Sequence, residues 1–363
     1  MNRSIYTTSA KQRIICSIND CLHICYFCYV TFYRFNQIHC LIFLLYFTIY
    51  SIHFLECIKV CLILNQHNLV YLTCMNILKS VGGAFMLKRL RADHPILYCI
   101  LAEVLFLGSL FLSSLVLTVA LMAAGADFSG LDEYLLSLIQ ELVGAGAAWL
   151  LLRRTGRQRL LGRRGSGFWN GLLVGMYPLA FICYSIYSAL IFERPDTPLL
   201  PAGRILSFLA CMAMVGVAEE FLFRGVIAET LLEHFGTSRA GVWKACLLSG
   251  VLFGAAHLTN LSSSAPFGVL MQCAFSASLG ALFAAIYFRT GNLWVTVFLH
   301  GAMDIASMLI GGLYGTTTLS ESVSGYDASM LLTVVVYLLP VAFLLRKKKL
   351  PEVQLYWGAY TQK

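Results

Sequence analysis

Within an apolar run that otherwise suits a membrane helix, Ala218-Glu219-Glu220-Phe221-Leu222-Phe223-Arg224-Gly225 sets two adjacent carboxylates and a guanidinium. An ionisable group at bilayer depth costs at least ~2.5 kcal/mol on insertion scales, so such groups face a bundle interior, pair with one another and mark functional sites. On a helix, Glu220 and Arg224 stand four residues apart and can pair across one turn. Glu219 projects about 100° away. It has no cation four residues off in either direction, because Val215 and Phe223 occupy those positions.

The chain of 363 residues is 59% hydrophobic and only 12% charged, with a mean hydropathy of +0.76. Soluble domains carry about twice that charge. The expected fold class is therefore all-α, a polytopic bundle of membrane helices in a lipid bilayer. The formal charge of +8 comes from basic clusters beside apolar segments. These orient a chain in a membrane and do not call for nucleic acid as a partner. Of the 13 cysteines, eight precede residue 86 and five are scattered through candidate spans, so no disulfide framework is readable.

Residues 1–85 differ in character from the rest: Ile, Phe, Tyr, Cys and Asn abound, with two Gly and two Ala. The break predicts that translation starts at Met86 and that residues 1–85 are upstream sequence. In support, Val81-Gly82-Gly83 can be encoded so as to contain AGGAGGT, a bacterial ribosome-binding sequence. The alternative is a genuine extension with one or two further spans, Leu41–Leu64 being the best candidate. Cys21, Cys25 and Cys28 with His23 have metal-ligand spacing, but no second pair and no polar loop accompanies them.

From Met86 onward the chain reads as one domain, 86–363. Apolar segments long enough to cross a bilayer, which takes about 20 residues, number eight. They run near Pro95–Ala123, Leu131–Leu152, Phe168–Phe192, Ile205–Ile227, Val242–Leu258, Phe267–Phe288, Leu293–Leu313 and Ser329–Leu345. Six arginines between Arg153 and Arg164, and the tail Arg346-Lys347-Lys348-Lys349, are expected on the cytoplasmic side.

Two further polar motifs follow the Glu-Glu pair. Phe253-Gly254-Ala255-Ala256-His257 lies on the next span, and His300-Gly301-Ala302-Met303-Asp304 sets an imidazole and a carboxylate on one face of the seventh. If spans four and five turn near Thr237, Glu219 lies 18 residues before the turn and His257 lies 20 after it. At ~1.5 Å per residue their depths differ by only about 3 Å. Glu219, Glu220, His257, His300 and Asp304 are thus expected to converge, with Arg224 and Phe253 in support. Small residues beside them, Gly225, Gly254, Ala255, Ala256, Gly301 and Ala302, allow close helix approach. Taken singly, each His or Glu has a plainer reading as a buried group satisfied by a neighbouring helix. Glu103 and Glu141, in the first two spans, are given that reading.

The series Glu-Glu-x-x-x-Arg, Phe-x-x-x-His and His-x-x-x-Asp, in this order on successive apolar helices, resembles the CAAX prenyl endopeptidase and bacteriocin-processing family of intramembrane proteases. The resemblance covers about 204–312. It implies that Glu219 activates water, that His257, His300 and Asp304 complete the site, and that Glu220 and Arg224 support it. Asp304 stands where many members carry Asn, which removes an amide donor.

The chemistry of these residues agrees. Peptide hydrolysis needs a base beside water, a donor for the tetrahedral oxyanion and a proton for the leaving amine. A desolvated glutamate suits the first role and imidazoles the other two. Alternatively, Glu219, His257 and His300 form a set that can hold Zn²⁺ with water in the fourth position. No His-Glu-x-x-His, Gly-x-Ser-x-Gly or Gly-x-Gly-Asp occurs. The rival classes are a proton-coupled transporter and a catalytically silent immunity or scaffold protein. Against the transporter, the polar residues cluster in one half of the chain and no matching broken helices recur. The expected partner is a membrane-associated protein or peptide substrate. The expected location is an integral, multi-pass one, in the cell membrane if the source is bacterial.

Overall fold

The computed structural model describes residues 83–127 and 130–358. The segment 1–82, with the candidate span Leu41–Leu64 and the Cys21, His23, Cys25 and Cys28 cluster, lies outside the described residues. The chain divides into two units at Val81 and Gly82, and all described residues belong to the second. Every regular element among them is helical.

In chain order the helices are α1 (Gly83–Asp93), α2 (Pro95–Ala123), α3 (Glu133–Arg154), α4 (Phe168–Val174), α5 (Met176–Phe192), α6 (Ala202–Glu220) and α7 (Glu229–Phe235). They continue as α8 (Arg239–Ala256), α9 (Pro266–Thr290), α10 (Leu293–Ser307), α11 (Leu309–Tyr314), α12 (Leu319–Ser324), α13 (Met330–Leu344) and α14 (Leu350–Trp357). Between α6 and α7 the backbone forms a π-helix over Phe221–Ala228, so that one helix of 34 residues runs from Ala202 to Phe235.

Helix starts follow from local chemistry. Asp132 accepts from the amides of Tyr134 and Leu135 at the head of α3, Ser238 from Gly241 at α8, and Asn292 from Trp294 at α10. Each side chain satisfies a donor that the first helical turn leaves open. Breaks are equally local. Pro178 would clash with the carbonyl four residues back, that of Val174, in an unbroken helix. The chain instead ends α4 there and bends by 81° into α5. Pro340 sits inside α13 and leaves the Val336 carbonyl without its helical donor. The Tyr177 hydroxyl of α5 donates to that carbonyl at 3.0 Å.

Among the described residues five helices are long and apolar enough to cross a membrane, or up to seven if each bent pair, α4 with α5 and α13 with the Lys347–Trp357 segment, counts as one. The eight spans read from the sequence are therefore too many by that measure. The seventh, Leu293–Leu313, is interrupted at Met308. Its longer piece, α10, has 15 residues and reaches about 22 Å, short of the ~30 Å hydrocarbon thickness. α9 is the central helix, buried on all sides from Ser278 to Thr290.

Charge pairs tie the basic segments together at one end of the bundle. Arg91 of α1 and Arg157 after α3 both pair with Glu229 and Glu233 of α7. Arg163 donates to the Tyr356 carbonyl and lies 4.5 Å over the Trp357 ring. Arg289 at the end of α9 holds Glu352 of α14. The arginine segment and the C-terminal helix therefore share one face, whatever the number of spans.

Candidate active site

The site is built where α6 crosses α10. Gly216 faces Gly301 so closely that a Cβ at 216 would stand 2.7 Å from the Gly301 nitrogen and 2.9 Å from the Val297 carbonyl oxygen. Only two glycines let these backbones meet in this way. Glu219 and Glu220 follow Gly216 by one turn, and His300 precedes Gly301. Backbone contact thus brings carboxylates and imidazole together.

His300 is buried and lies at the centre. Its Nδ1–H donates to Oε1 of Glu220 at 2.8 Å. That bond fixes the ring and turns Nε2 toward Oε2 of Glu219, 3.7 Å away, and Oδ2 of Asp304, 3.6 Å away. The neighbouring glutamates differ in access. Glu220 is fully buried, whereas the Glu219 side chain is 23% exposed and that of Asp304 27%. Water can reach Glu219 and Asp304 but not Glu220.

Glu220 has a second partner. Oε1 lies 2.8 Å from Nη1 of Arg224, also fully buried, as the four-residue spacing predicts. The intervening backbone is α-helical only to Glu220 and then π-helical, so the expected plain α-helix is corrected here. A π segment widens the turn at the site and leaves Glu229 donating to the Arg224 carbonyl, five residues back. Arg224 also donates to the Gly280 carbonyl at 3.2 Å. Its guanidinium lies 4.8 Å from the Phe253 ring and 5.3 Å from the Phe283 ring. The same two rings flank His300, at 5.5 and 5.4 Å. Phe253 and Phe283 therefore enclose the Arg224–Glu220–His300 chain in an aromatic box.

His257 ends α8. Its Nδ1–H donates to the Phe253 carbonyl at 2.9 Å, which leaves Nε2 as an acceptor in the neutral ring. Phe253 stands between the two histidines, 5.1 Å from His257. Among the described residues no ion pair joins His257 to a carboxylate. The expected convergence therefore holds for Glu219, Glu220, His300 and Asp304, while His257 is set one aromatic ring away.

The same geometry decides how a metal would fit. No group of three or more His, Cys, Asp or Glu side chains among the described residues is arranged to hold one, and this includes Glu219, His257 and His300.

Two contributions went unread in the sequence. Phe283 and the Gly280 carbonyl carry no local signal, since both lie in the uniformly apolar α9. Glu103 of α2 is buried as expected, whereas Glu141 of α3, expected to be satisfied by a neighbouring helix, has its Oε2 buried without a hydrogen-bond partner.

Residues 201–306 match the family model of the Rce1-like type II CAAX prenyl endopeptidases. The matched segment opens on the residue before α6 and closes in α10, so it takes in every residue of the Glu-Glu, Phe–His and His–Asp motifs. The resemblance read from those motifs is borne out over this segment. At the family level it supports a CAAX-type intramembrane protease acting on membrane-associated substrates, and the apolar helices make this an integral membrane protein. No curated protein matches the chain.

Proposed function

We propose that the protein is an intramembrane endopeptidase in which Glu219 activates the water that attacks the scissile peptide bond. The observation that carries this reading is the unequal access of two adjacent glutamates around one imidazole. Glu220 is sealed in and engaged by Arg224 and His300, while Glu219 faces the same imidazole from a position open to water.

In this reading Glu219 takes a proton from water as the oxygen forms its bond to the carbonyl carbon. The tetrahedral intermediate then expels the amine, which receives that proton as the C–N bond breaks. In its imidazolium form His300 donates from Nδ1 to Glu220 and has Nε2–H for the developing oxyanion or the leaving nitrogen. Asp304, lacking an amide, serves as an acceptor that orients water or His300. Neutral His257 offers Nε2 as a further acceptor. Arg224 holds Glu220 in place, within an aromatic enclosure that keeps solvent from the inner pair.

The matched family makes a prenylated peptide with a C-terminal CAAX sequence the first substrate to try. Purified protein in lipid vesicles should release the three terminal residues from a farnesylated fluorogenic peptide of this kind. Glu219→Gln protein, folded and inserted, should not. Equal cleavage by both would end the reading.

A further inference from the structure

The two bent helix pairs face each other across a cleft of about 310 Å³, lined on one side by the turn from α4 into α5 and on the other by the turn from α13 toward α14. Pro178 and Pro340, one from each pair, are in its walls. The Tyr177 hydroxyl joins the two sides through the Val336 carbonyl. Arg289, near the end of α9, lines the cleft as well. It stands nine residues along α9 from Gly280, whose carbonyl accepts from Arg224. The cleft is therefore ~13 Å along the bundle from the candidate active site.

Apolar and cationic side chains share its lining. Leu173, Met176 and Phe343 give the apolar part, and each is more than half exposed. Arg289, Arg346 and Lys349 give the charge, and among the described residues no acidic side chain lines the cleft. One carboxylate, Glu352, accepts from both Arg289 and Lys349. Three cations beside this one anion leave the cleft positive. Arg346 donates to the Phe343 carbonyl and lies 3.8 Å over the Phe343 ring. A guanidinium has five N–H donors and an ammonium three, so Arg346 and Lys349 keep donors for a further acceptor.

The backbone sorts the basic run Arg346-Lys347-Lys348-Lys349 into two pairs. It turns as a 3₁₀ helix over Lys347–Lys349, and in such a helix side chains three residues apart eclipse one another. Arg346 and Lys349 thus share a face and line the cleft, whereas Lys347 and Lys348 are exposed and do not line it. Basic pockets between membrane helices, on the side where basic residues gather, suit anionic headgroups. Small-molecule sites begin near about 300 Å³, so there is room for a headgroup but not for acyl chains.

We propose that this cleft binds an anionic phospholipid. Its phosphate sits between Arg346 and Lys349, and its acyl chains run out over Leu173, Met176 and Phe343 into the bilayer. Of the lining residues only Arg289 falls within the matched segment 201–306. Binding here is independent of whether Glu219 acts as a base.

Purified full-length protein in non-ionic detergent tests this, titrated with dioleoyl phosphatidylglycerol or with dioleoyl phosphatidylcholine. Melting temperature and lipid retained in native mass spectrometry are the readouts. Phosphatidylglycerol should raise the melting temperature saturably, as a ligand of the folded state does, and phosphatidylcholine should not. Replacing Arg346→Gln and Lys349→Gln together should weaken binding about tenfold or more. Lys347→Gln with Lys348→Gln removes the same charge and should bind like wild type. Counting retained lipid compares the variants even if the first pair lowers the lipid-free melting temperature. Equal losses in the two double variants would overturn the proposal, because surface charge alone would then explain the binding. Equal binding of the two lipids would overturn it too. If glycerol 3-phosphate stabilises the protein as well as the lipid does, the cleft takes free phosphate and the lipid assignment fails.

Discussion

Replacing Gly216 with alanine adds one methyl group at the point where α6 and α10 touch, and its consequences can be followed atom by atom. The new Cβ would stand 2.7 Å from the Gly301 nitrogen, 2.9 Å from the Val297 oxygen and 3.0 Å from the Gly301 Cα. All three are backbone atoms, so no side chain can rotate away. Ordinary contact needs ~3.5–4.0 Å, so the helices must part by roughly 1 Å. Overpacking of this kind costs about 1–3 kcal/mol. Alanine returns up to ~1 kcal/mol of helix propensity, which leaves a small net loss of stability. The catalytic effect should be far larger. Glu219 rides on one helix and His300 on the other, and a displacement of ~1 Å at a reaction centre can cost about 100-fold in rate. Gly225→Ala is the control, because its Cβ would meet only side-chain atoms of Leu152 and Leu293, none nearer than 3.4 Å. Both variants should be compared with wild type for melting temperature and for turnover of the farnesylated CAAX peptide. A fully active Gly216→Ala protein would refute the claim that this crossing sets the site.

Glu220→Gln should chiefly destabilise, by roughly 3–5 kcal/mol, because it leaves the Arg224 charge buried without its counter-charge; thermal unfolding in detergent reads this directly. His257→Ala and His300→Ala should each lower turnover. The double variant should be little worse than the weaker single if both serve one step, whereas multiplying losses would separate them. Cysteines placed at Arg154 and Lys348 should react with an impermeant reagent from the same side of the membrane, the cytoplasmic one by the distribution of basic residues. Labelling from opposite sides would contradict the Arg163–Trp357 contact.

How far the site was legible depended on whether its parts signal locally. Glu220 with Arg224 and His300 with Asp304 announce themselves by four-residue spacing, and the structure joins both pairs. The approach of Glu219 to His300 follows from which helices cross, and no spacing within one segment encodes it. The all-α membrane bundle was plain from composition, but the span count was not. Hydropathy does not register that Pro178 breaks one segment or that Met308 divides another, and an interrupted apolar run scores like a continuous one. The π-helix at Phe221–Ala228 likewise leaves no periodic trace, since all eight of its positions are buried.

The adjacent glutamates offer the most direct test, because they differ in surroundings and not in chemistry. Glu219→Gln and Glu220→Gln proteins should be purified alongside wild type, their melting curves recorded, and each given the same farnesylated CAAX peptide in vesicles. The Glu219→Gln protein should melt like wild type and cleave nothing, while Glu220→Gln should melt well below both. A stable Glu219→Gln protein that cleaves at the wild-type rate would contradict the assignment of Glu219 as the base, and a stable but inactive Glu220→Gln protein would transfer that role to its neighbour.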